Sequence, residues 1–128
     1  MRGFGALHIG SNPQQFLPII KAISIKNAGS IETAGDFPAD MYLFDNGSGG
    51  TGERFDTSLF RVAKDAGKLP AKPFFVAGGV TPENIGEIIA LAPDGIDVSG
   101  GAETDGLKDA EKIMALVNAV RASYGSTD

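Results

Sequence analysis

Apolar runs of strand length alternate with segments of helical spacing along most of this chain. Four runs, bounded by Gly, Pro or Asx residues, have the composition of buried strands, and a weaker run precedes them. The five runs occupy residues 4–10, 18–25, 40–45, 73–79 and 95–101. Parallel neighbours need a crossover, usually a helix, so this alternation predicts an α/β fold with a parallel sheet. Either a doubly wound sheet or part of a (β/α)8 barrel satisfies it.

The segments between these runs carry helix signals. Residues 57–68 are expected to be helical up to Gly67, whereas Gly35 and Pro38 limit residues 29–37 to a short helix. Two further segments place apolar residues at the spacing that buries one helix face. These are Ile85, Ile88 and Ile89 in one segment, and Ile113, Leu116, Val117 and Val120 in the other.

The ends of the helix around Ile85 are also marked. Thr81 is predicted to be its N-cap, with Pro82 at the first helical position, and Pro93 closes it. Residues 124–128, at the end of the chain, are predicted to fray.

Composition narrows the classes of function. The 128 residues suffice for one domain, and 42% of them are hydrophobic, enough for a real core. The net charge of −5 argues against a nucleic-acid or anionic-membrane partner, because such surfaces are bound by clustered Lys and Arg. The chain has no Cys and no apolar stretch near the roughly 18 residues of a membrane span. A cytoplasmic protein is therefore expected.

A glycine-rich stretch follows the third run. It reads "YLFDNGSGGTGERFD" over residues 42–56 and contains the pattern G-x-G-x-x-G between Gly47 and Gly52. The dinucleotide fingerprint needs its third glycine to open a helix and an acid to end the next strand, which disfavours a Rossmann site here. A Walker A loop fails because Glu53 and Arg54 occupy the positions of its Lys and Ser or Thr.

Glycine pairs follow the last two runs, at residues 78–79 and 100–101. Both candidate architectures bind their ligands at the carboxyl ends of parallel strands. Because all three glycine-rich segments lie at such ends, the sequence predicts a binding site at that edge of the sheet.

Three ordered blocks closely resemble the phosphoribosylanthranilate isomerase family of tryptophan biosynthesis. They read "YLFDNGSGGTGERFDTS", "FFVAGGVTPENIGEII" and "GIDVSGGAETDGLKDAEKIMALVNAVR", and "LPIIKAISI" is similar to the family strand before them. The family fold is a (β/α)8 barrel. The resemblance implies that residues 1–128 form a single, incomplete α/β domain: a partial TIM barrel with about the last five of the eight units.

The resemblance assigns roles to residues of the first block. Asp45 matches the family's general acid, whose proton opens the furanose ring of the substrate; the alternative is a solvated turn residue that caps the loop. A flexible loop over the substrate is implied for the positions that follow; the alternative is a plain surface linker, which the entropic cost of so many glycines disfavours. These positions are Gly49, Gly50, Thr51 and Gly52.

The substrate phosphate is expected at the loops after the last two strands. Main-chain N–H groups can bind a dianion without cationic side chains, which suits an acidic protein. Glu103 matches a loop acid of the family, although a surface charge fits equally, and Asn84 is expected to serve the structure near the phosphate loop. The residues that match the phosphate contacts, or alternatively form two tight turns, are Gly78, Gly79, Ser99, Gly100 and Gly101.

The implied reaction is the Amadori rearrangement of N-(5-phosphoribosyl)anthranilate to 1-(2-carboxyphenylamino)-1-deoxyribulose 5-phosphate, without a metal or cofactor. The family's general base is a Cys in the first strand, and this chain has no Cys. Each positioned proton-transfer group contributes about 10²- to 10⁴-fold to such a reaction. Two functions of the chain are therefore possible: an active isomerase, and a catalytically inert fragment that retains the phosphate site.

The expected ligand is a small sugar phosphate, with no nucleic-acid or membrane partner. A partial barrel leaves two sheet edges and an apolar interior uncovered. We expect a homo-oligomer or a complementing fragment to cover them, or else a repacked open sheet with helices on both faces.

Overall fold

A four-stranded parallel sheet is the framework of the fold. The computed structural model describes residues 17–46 and 56–125. The strands lie side by side in chain order: β1 (Ile20–Ser24), β2 (Met41–Asp45), β3 (Phe74–Ala77) and β4 (Gly95–Asp97). Each lies within one of the predicted runs, which confirms those four strands. The weaker strand predicted at residues 4–10 lies outside the described residues.

Helices connect the strands. They are α1 (Ala28–Glu32), α2 (Ser58–Asp65), α3 (Ile85–Ile89) and α4 (Ala110–Ser123), with 3-10 turns at Ala34–Asp36 and Gly100–Ala102. An antiparallel hairpin of β5 (Glu103–Thr104) and β6 (Leu107–Lys108) precedes α4. The sequence analysis did not anticipate this hairpin. Within the described ranges, none of the helices is long and apolar enough to cross a membrane.

The helix ends test the capping signals. Gly67 has φ +71° directly after α2, which is the left-handed conformation that ends a helix and that Gly adopts without strain. The N–H of Ser58 binds the Asp56 carboxylate at 2.9 Å, so Asp56 supports the start of α2. The N–H of Ile85 donates to the Thr81 carbonyl at 3.0 Å, which is the i to i−4 bond of a helical turn. The predicted cap therefore closes a single turn, residues 82–84, that precedes α3.

The core lies between the sheet and the helices. Alternation along a strand sends Tyr42 and Phe44 to the same face. There the Phe44 ring meets Phe60 of α2 edge-on, with centroids 5.4 Å apart, and meets Phe74 at 5.8 Å. Full burial of such a side chain contributes about 1.5–3 kcal/mol to stability. The largest fully buried apolar side chains are Tyr42, Phe44, Phe60, Ile31, Ile88 and Val76.

The opposite face of the sheet is apolar and largely uncovered. Ile20 is 58% exposed, and Ala22 and Ser24 beside it are also exposed, while Leu43 and Phe75 are half-buried. A doubly wound sheet has helices on both faces and reverses its strand order, whereas here the order follows the chain. These features fit a segment of a (β/α)8 barrel and do not fit the repacked open sheet considered above.

The predicted apolar stripe of α4 is only partly buried. Leu116 is 6% exposed, but Ile113 is 39% exposed. The remaining residues of the stripe border a cavity of about 500 Å³ between α4 and β4, which is also lined by Ile96 and Val98. The stripe therefore has the predicted register, but only part of it contacts the core.

Candidate functional site

The carboxyl ends of the strands bring Asp45 against the loop after β3. Asp45 is the last residue of β2 and is half-buried. A Cβ atom built on Gly78 would lie 2.6 Å from the Asp45 Oδ1 atom and 2.9 Å from the Asn46 nitrogen. Gly78 also has φ +84°, a conformation that L side chains rarely adopt. Glycine at this position therefore permits the Asp45 carboxylate to lie directly against the loop backbone.

The loops after β3 and β4 contact each other. A Cβ atom on Gly101 would lie only 1.7 Å from the Val80 carbonyl oxygen, so the two backbones touch at this point. Gly100 is different, because nothing lies within 4 Å of its built Cβ. The structure therefore brings the two predicted phosphate loops together at one edge of the sheet.

Several N–H groups of these loops are not used in bonds to backbone carbonyls. Gly78 and Gly79 have successive positive φ angles of +84° and +73°. In the part of the chain that the structure describes, the N–H groups of Gly78, Gly79, Gly100 and Gly101 donate to no backbone carbonyl. Concave runs of free N–H groups attract anions. This geometry can hold a phosphate without a cationic side chain.

The buried Asn84 side chain forms hydrogen bonds to the backbone of the loop after β3. It is 1% exposed. The Nδ2 group donates to the Gly79 carbonyl at 2.7 Å, and Oδ1 accepts the Thr81 N–H at 2.8 Å. Asn84 therefore lies near the loop, as the sequence analysis expected, and it bonds the loop backbone directly.

The loop after β4 carries a cation that the sequence analysis missed. The Lys108 ammonium group donates to the Ser99 carbonyl at 3.1 Å and pairs with the Glu103 carboxylate at 2.6 Å. The Lys112 ammonium group donates to the Glu103 carbonyl, also at 2.6 Å. Glu103 thus has a structural partner within the hairpin. Lys108 was overlooked because only the tight hairpin of β5 and β6 returns it to the loop.

Of two other candidate positions, the structure places one. Asp97 is exposed and lies level with Asp45 across the sheet, because both are in register with Ala77. The predicted substrate loop, with Gly49, Gly50, Thr51 and Gly52, lies outside the described residues. Its role stays a prediction, as does the expectation that no metal or cofactor is needed.

The strand order, the one-sided helices and the glycine loops at the carboxyl edge define a class of protein: a segment of a (β/α)8 barrel, the fold whose ligand sites lie at that edge. The family model described as N-(5'phosphoribosyl)anthranilate (PRA) isomerase matches residues 10–119. The chain belongs to this family of isomerases of tryptophan biosynthesis.

Two curated relatives illustrate the extent of the match. The chain is 38% identical over 122 residues to the N-(5'-phosphoribosyl)anthranilate isomerase of Acetivibrio thermocellus, covering 91% of this chain and 54% of the relative. It is 42% identical over 113 residues to the enzyme of Pseudomonas fluorescens, covering 81% and 52%. The chain spans about half the length of the curated relatives it matches.

Solved structures agree with the family assignment. A crystal structure of phosphoribosyl anthranilate isomerase from Thermus thermophilus superposes with a TM-score of 0.67 at 31% identity, covering 86% of this chain and 53% of that one. A second isomerase, in complex with reduced 1-(o-carboxyphenylamino)-1-deoxyribulose 5-phosphate, has a TM-score of 0.63 at 27% identity, covering 83% and 50%. A crystal structure of mutually generated monomers of the dimeric isomerase from Thermotoga maritima matches with a TM-score of 0.60 at 28% identity, covering 80% and 49%.

Proposed function

We propose that this chain supplies the phosphate-binding loops and the general acid for the Amadori rearrangement of N-(5-phosphoribosyl)anthranilate. The observation that carries the proposal is the close approach of the Asp45 carboxylate to Gly78, on a loop whose glycine N–H groups donate to no backbone carbonyl among the described residues. One ligand with a phosphate at one end and a furanose ring beyond it can therefore reach both groups.

The phosphate is held by the loops after β3 and β4. The N–H groups of Gly78 and Gly79 come from one loop, and those of Gly100 and Gly101 come from the other. The Ser99 hydroxyl is a further donor, on an exposed residue beside the second pair. Main-chain donors on two touching loops hold a dianion in a fixed orientation, which positions the sugar for reaction.

Asp45 acts on the ring of the bound sugar. Its protonated carboxyl group donates a proton to the ring oxygen, while the lone pair of the anthranilate nitrogen forms a double bond to C1 and the C1–O bond breaks. A base then removes the proton from C2 to give an enolamine. Addition of a proton at C1 and loss of the proton from the C2 hydroxyl give the ketone, and the proton taken by the base restores the acid form of Asp45. The product is the isomer 1-(2-carboxyphenylamino)-1-deoxyribulose 5-phosphate, with no net change in atoms or electrons.

The base for the second step is not identified among the described residues. The family resemblance expects a Cys, and this chain has none. This observation favours a second candidate function, in which the chain binds the sugar phosphate without turning it over alone. The two candidates share the phosphate site and differ in the proton transfer at C2.

We also propose that the uncovered face of the sheet is buried by further β/α units that complete the barrel. Ile20 is 58% exposed on this face, and Ala22 and Ser24 beside it are also exposed. On the other face, which carries the helices, Ile96 and Ile113 line an open cavity beside β4. An uncovered apolar face of this kind, bounded by strand edges that no other described strand pairs with, is unstable in water. Completing units would also bring the region where the family keeps its base. The cytoplasmic location stays a prediction.

A fluorescence assay tests the activity. Loss of substrate fluorescence is followed with the chain alone and with an added polypeptide carrying the first three barrel units of a relative. Asp45→Asn should reduce turnover at least about 100-fold, because it removes the proton donor, while phosphate binding persists. Asp65→Asn, which removes an exposed charge at the end of α2, is the matched control. Activity that survives Asp45→Asn would contradict the assigned acid.

A titration tests the phosphate site separately. Inorganic phosphate, and then ribose 5-phosphate, are added while the amide signals of the loop glycines are followed by nuclear magnetic resonance. Shifts concentrated at Gly78, Gly79, Gly100 and Gly101 are expected, because their N–H groups form the site. Shifts spread over the surface, or none at millimolar phosphate, would refute the site in both candidate functions.

A further inference from the structure

The Asn84 side chain bonds two consecutive peptide units of the loop after β3. Its Nδ2 group donates to the carbonyl of Gly79 at 2.7 Å, and its Oδ1 atom accepts the N–H of Thr81 at 2.8 Å. The first bond belongs to the peptide between Gly79 and Val80, and the second to the peptide between Val80 and Thr81. Since the side chain is 1% exposed, water does not compete for these bonds.

These two bonds fix the direction of the groups at the other ends of the same peptides. In a trans peptide the carbonyl and the N–H point to opposite sides, and the chain has no cis peptide among its described residues. Holding the Gly79 carbonyl toward Asn84 therefore turns the Val80 N–H away from it. Holding the Thr81 N–H toward Asn84 turns the Val80 carbonyl away as well.

The Val80 carbonyl is the point where the two glycine loops touch. A Cβ atom on Gly101 would lie 1.7 Å from this carbonyl oxygen and 2.8 Å from its carbon. The separation of the loops therefore depends on the orientation of one peptide unit. Asn84 fixes that peptide from one side, and Gly101 contacts it from the other.

We infer that Asn84 is a positioning residue that joins the loops after β3 and β4 into one anion cradle through the Val80 peptide. The identity of the anion, the phosphate of a sugar phosphate, rests on the proposed function. The coupling between the loops does not, because the bonds that carry it exist without a ligand.

A simple helix-capping role for Asn84 makes a different prediction. The Asn84 N–H donates to the Thr81 hydroxyl at 3.3 Å, so this pair resembles a reciprocal cap before α3. An Asp at this position would still accept the Thr81 N–H and would serve such a cap equally well. It could not donate to the Gly79 carbonyl and would turn a carboxylate oxygen toward it. Asn84→Asp therefore separates the two roles.

The test compares amide spectra of the full chain and its Asn84→Asp variant, without ligand and with inorganic phosphate. Without ligand, the variant should shift the amide signal of Gly101, which lies in the other loop. With phosphate, its dissociation constant should rise about tenfold, the effect of losing a buried hydrogen bond. Asn118→Asp makes the same substitution on the exposed side of α4 and should change neither quantity.

The outcomes distinguish this inference from the proposed function. If the unmodified chain does not respond to phosphate, the proposed function fails, and the ligand-free spectra still decide the coupling. An Asn84→Asp spectrum in which the Gly101 signal is unmoved overturns the inference.

Gly101→Ala tests the same coupling from the other loop if Asn84→Asp does not fold. The added methyl group should push the Val80 carbonyl, move the amide signals of Val80 and Thr81, and weaken phosphate binding. Gly86→Ala in α3, where nothing lies within 4 Å of the built Cβ, is the control and should leave both unchanged. Unmoved Val80 and Thr81 signals in Gly101→Ala would overturn the inference.

Discussion

At the scale of single residues, Gly78 is constrained by its backbone and by its neighbour. We predict that Gly78→Ala destabilises the chain by about 1–2 kcal/mol, the cost of left-handed backbone for an L residue, because φ is +84°. The added methyl group would also displace the Asp45 carboxylate, which lies 2.6 Å from the built Cβ. Urea denaturation measures the first effect, and turnover of the complemented enzyme measures the second.

Gly86 provides the matched control for that substitution. It lies in α3 without a positive φ angle and with open space at its Cβ. Gly86→Ala should therefore stabilise the chain by about 0.5–1 kcal/mol, since Ala loses less backbone entropy in a helix. If both substitutions had the same effect, the special role of Gly78 would be wrong.

Residue identities in the site were predictable to different degrees. The position of Asp45 at the end of β2 follows from the apolar run that precedes it, and the glycine pairs follow from the strand ends. The contact of Gly101 with Val80 did not follow, because it depends on the separation of two loops distant in sequence. Lys108 was missed for a different reason, because a local hairpin that was not predicted returns it to Ser99.

At the scale of secondary structure, the start of α4 depends on a charged cap. The Asp109 carboxylate accepts the N–H groups of Glu111 at 2.9 Å and Lys112 at 3.3 Å, and the Thr104 hydroxyl at 2.6 Å. The hydrogen bond from Thr104 lowers the pKa of Asp109 below its usual value, and the bond from the Lys112 backbone adds to this effect. Folding therefore favours the ionised carboxylate.

This cap predicts a pH dependence of stability. Because the pKa of Asp109 is lowered in the folded chain, its contribution is present above the usual Asp pKa of about 4 and is lost as the pH falls through the folded value. Asp109→Ala should lower the unfolding free energy at pH 7, and the difference should shrink in acid. Urea denaturation at several pH values measures it, and a difference that grew in acid would contradict the assignment.

Element types were easier to predict than element boundaries. The four strands follow from apolar runs with turn residues at both ends, and the end of α2 follows from Gly67. The predicted start of α3 at Pro82 was too early by three residues, because the Thr81 cap closes a single turn before the helix begins at Ile85. The hairpin before α4 lacks an apolar signal, and Leu107 within it is 74% exposed.

At the scale of the whole molecule, one sheet face and the cavity beside α4 are the main uncovered apolar surfaces of the described residues. The exposed fraction of Ile113 could not be read from the sequence, because helical spacing identifies an apolar face but not what packs against it. The same stripe buries Leu116 against the core. The exposed part of the apolar stripe of α4, at Ile113, is therefore a specific place to test completion of the barrel.

We predict that Ile113→Glu weakens the binding of a polypeptide carrying the first three barrel units, because it places a charge in the cavity that those units would fill. The stability of the chain alone should change by no more than about 0.5 kcal/mol, since Ile113 is already 39% exposed. Ala115→Glu, on the same helix and outside the cavity lining, is the control and should bind normally.

Calorimetry with light scattering measures both the affinity and the mass of the complex. A one-to-one complex that forms with the unmodified chain and Ala115→Glu but not with Ile113→Glu supports completion by further β/α units. A stable dimer of the chain alone that dissociates on Ile113→Glu would instead make a second copy the occupant. If the chain stays monomeric and does not bind the added units, the cavity beside α4 and the uncovered sheet face remain exposed to water. That outcome would contradict the proposal.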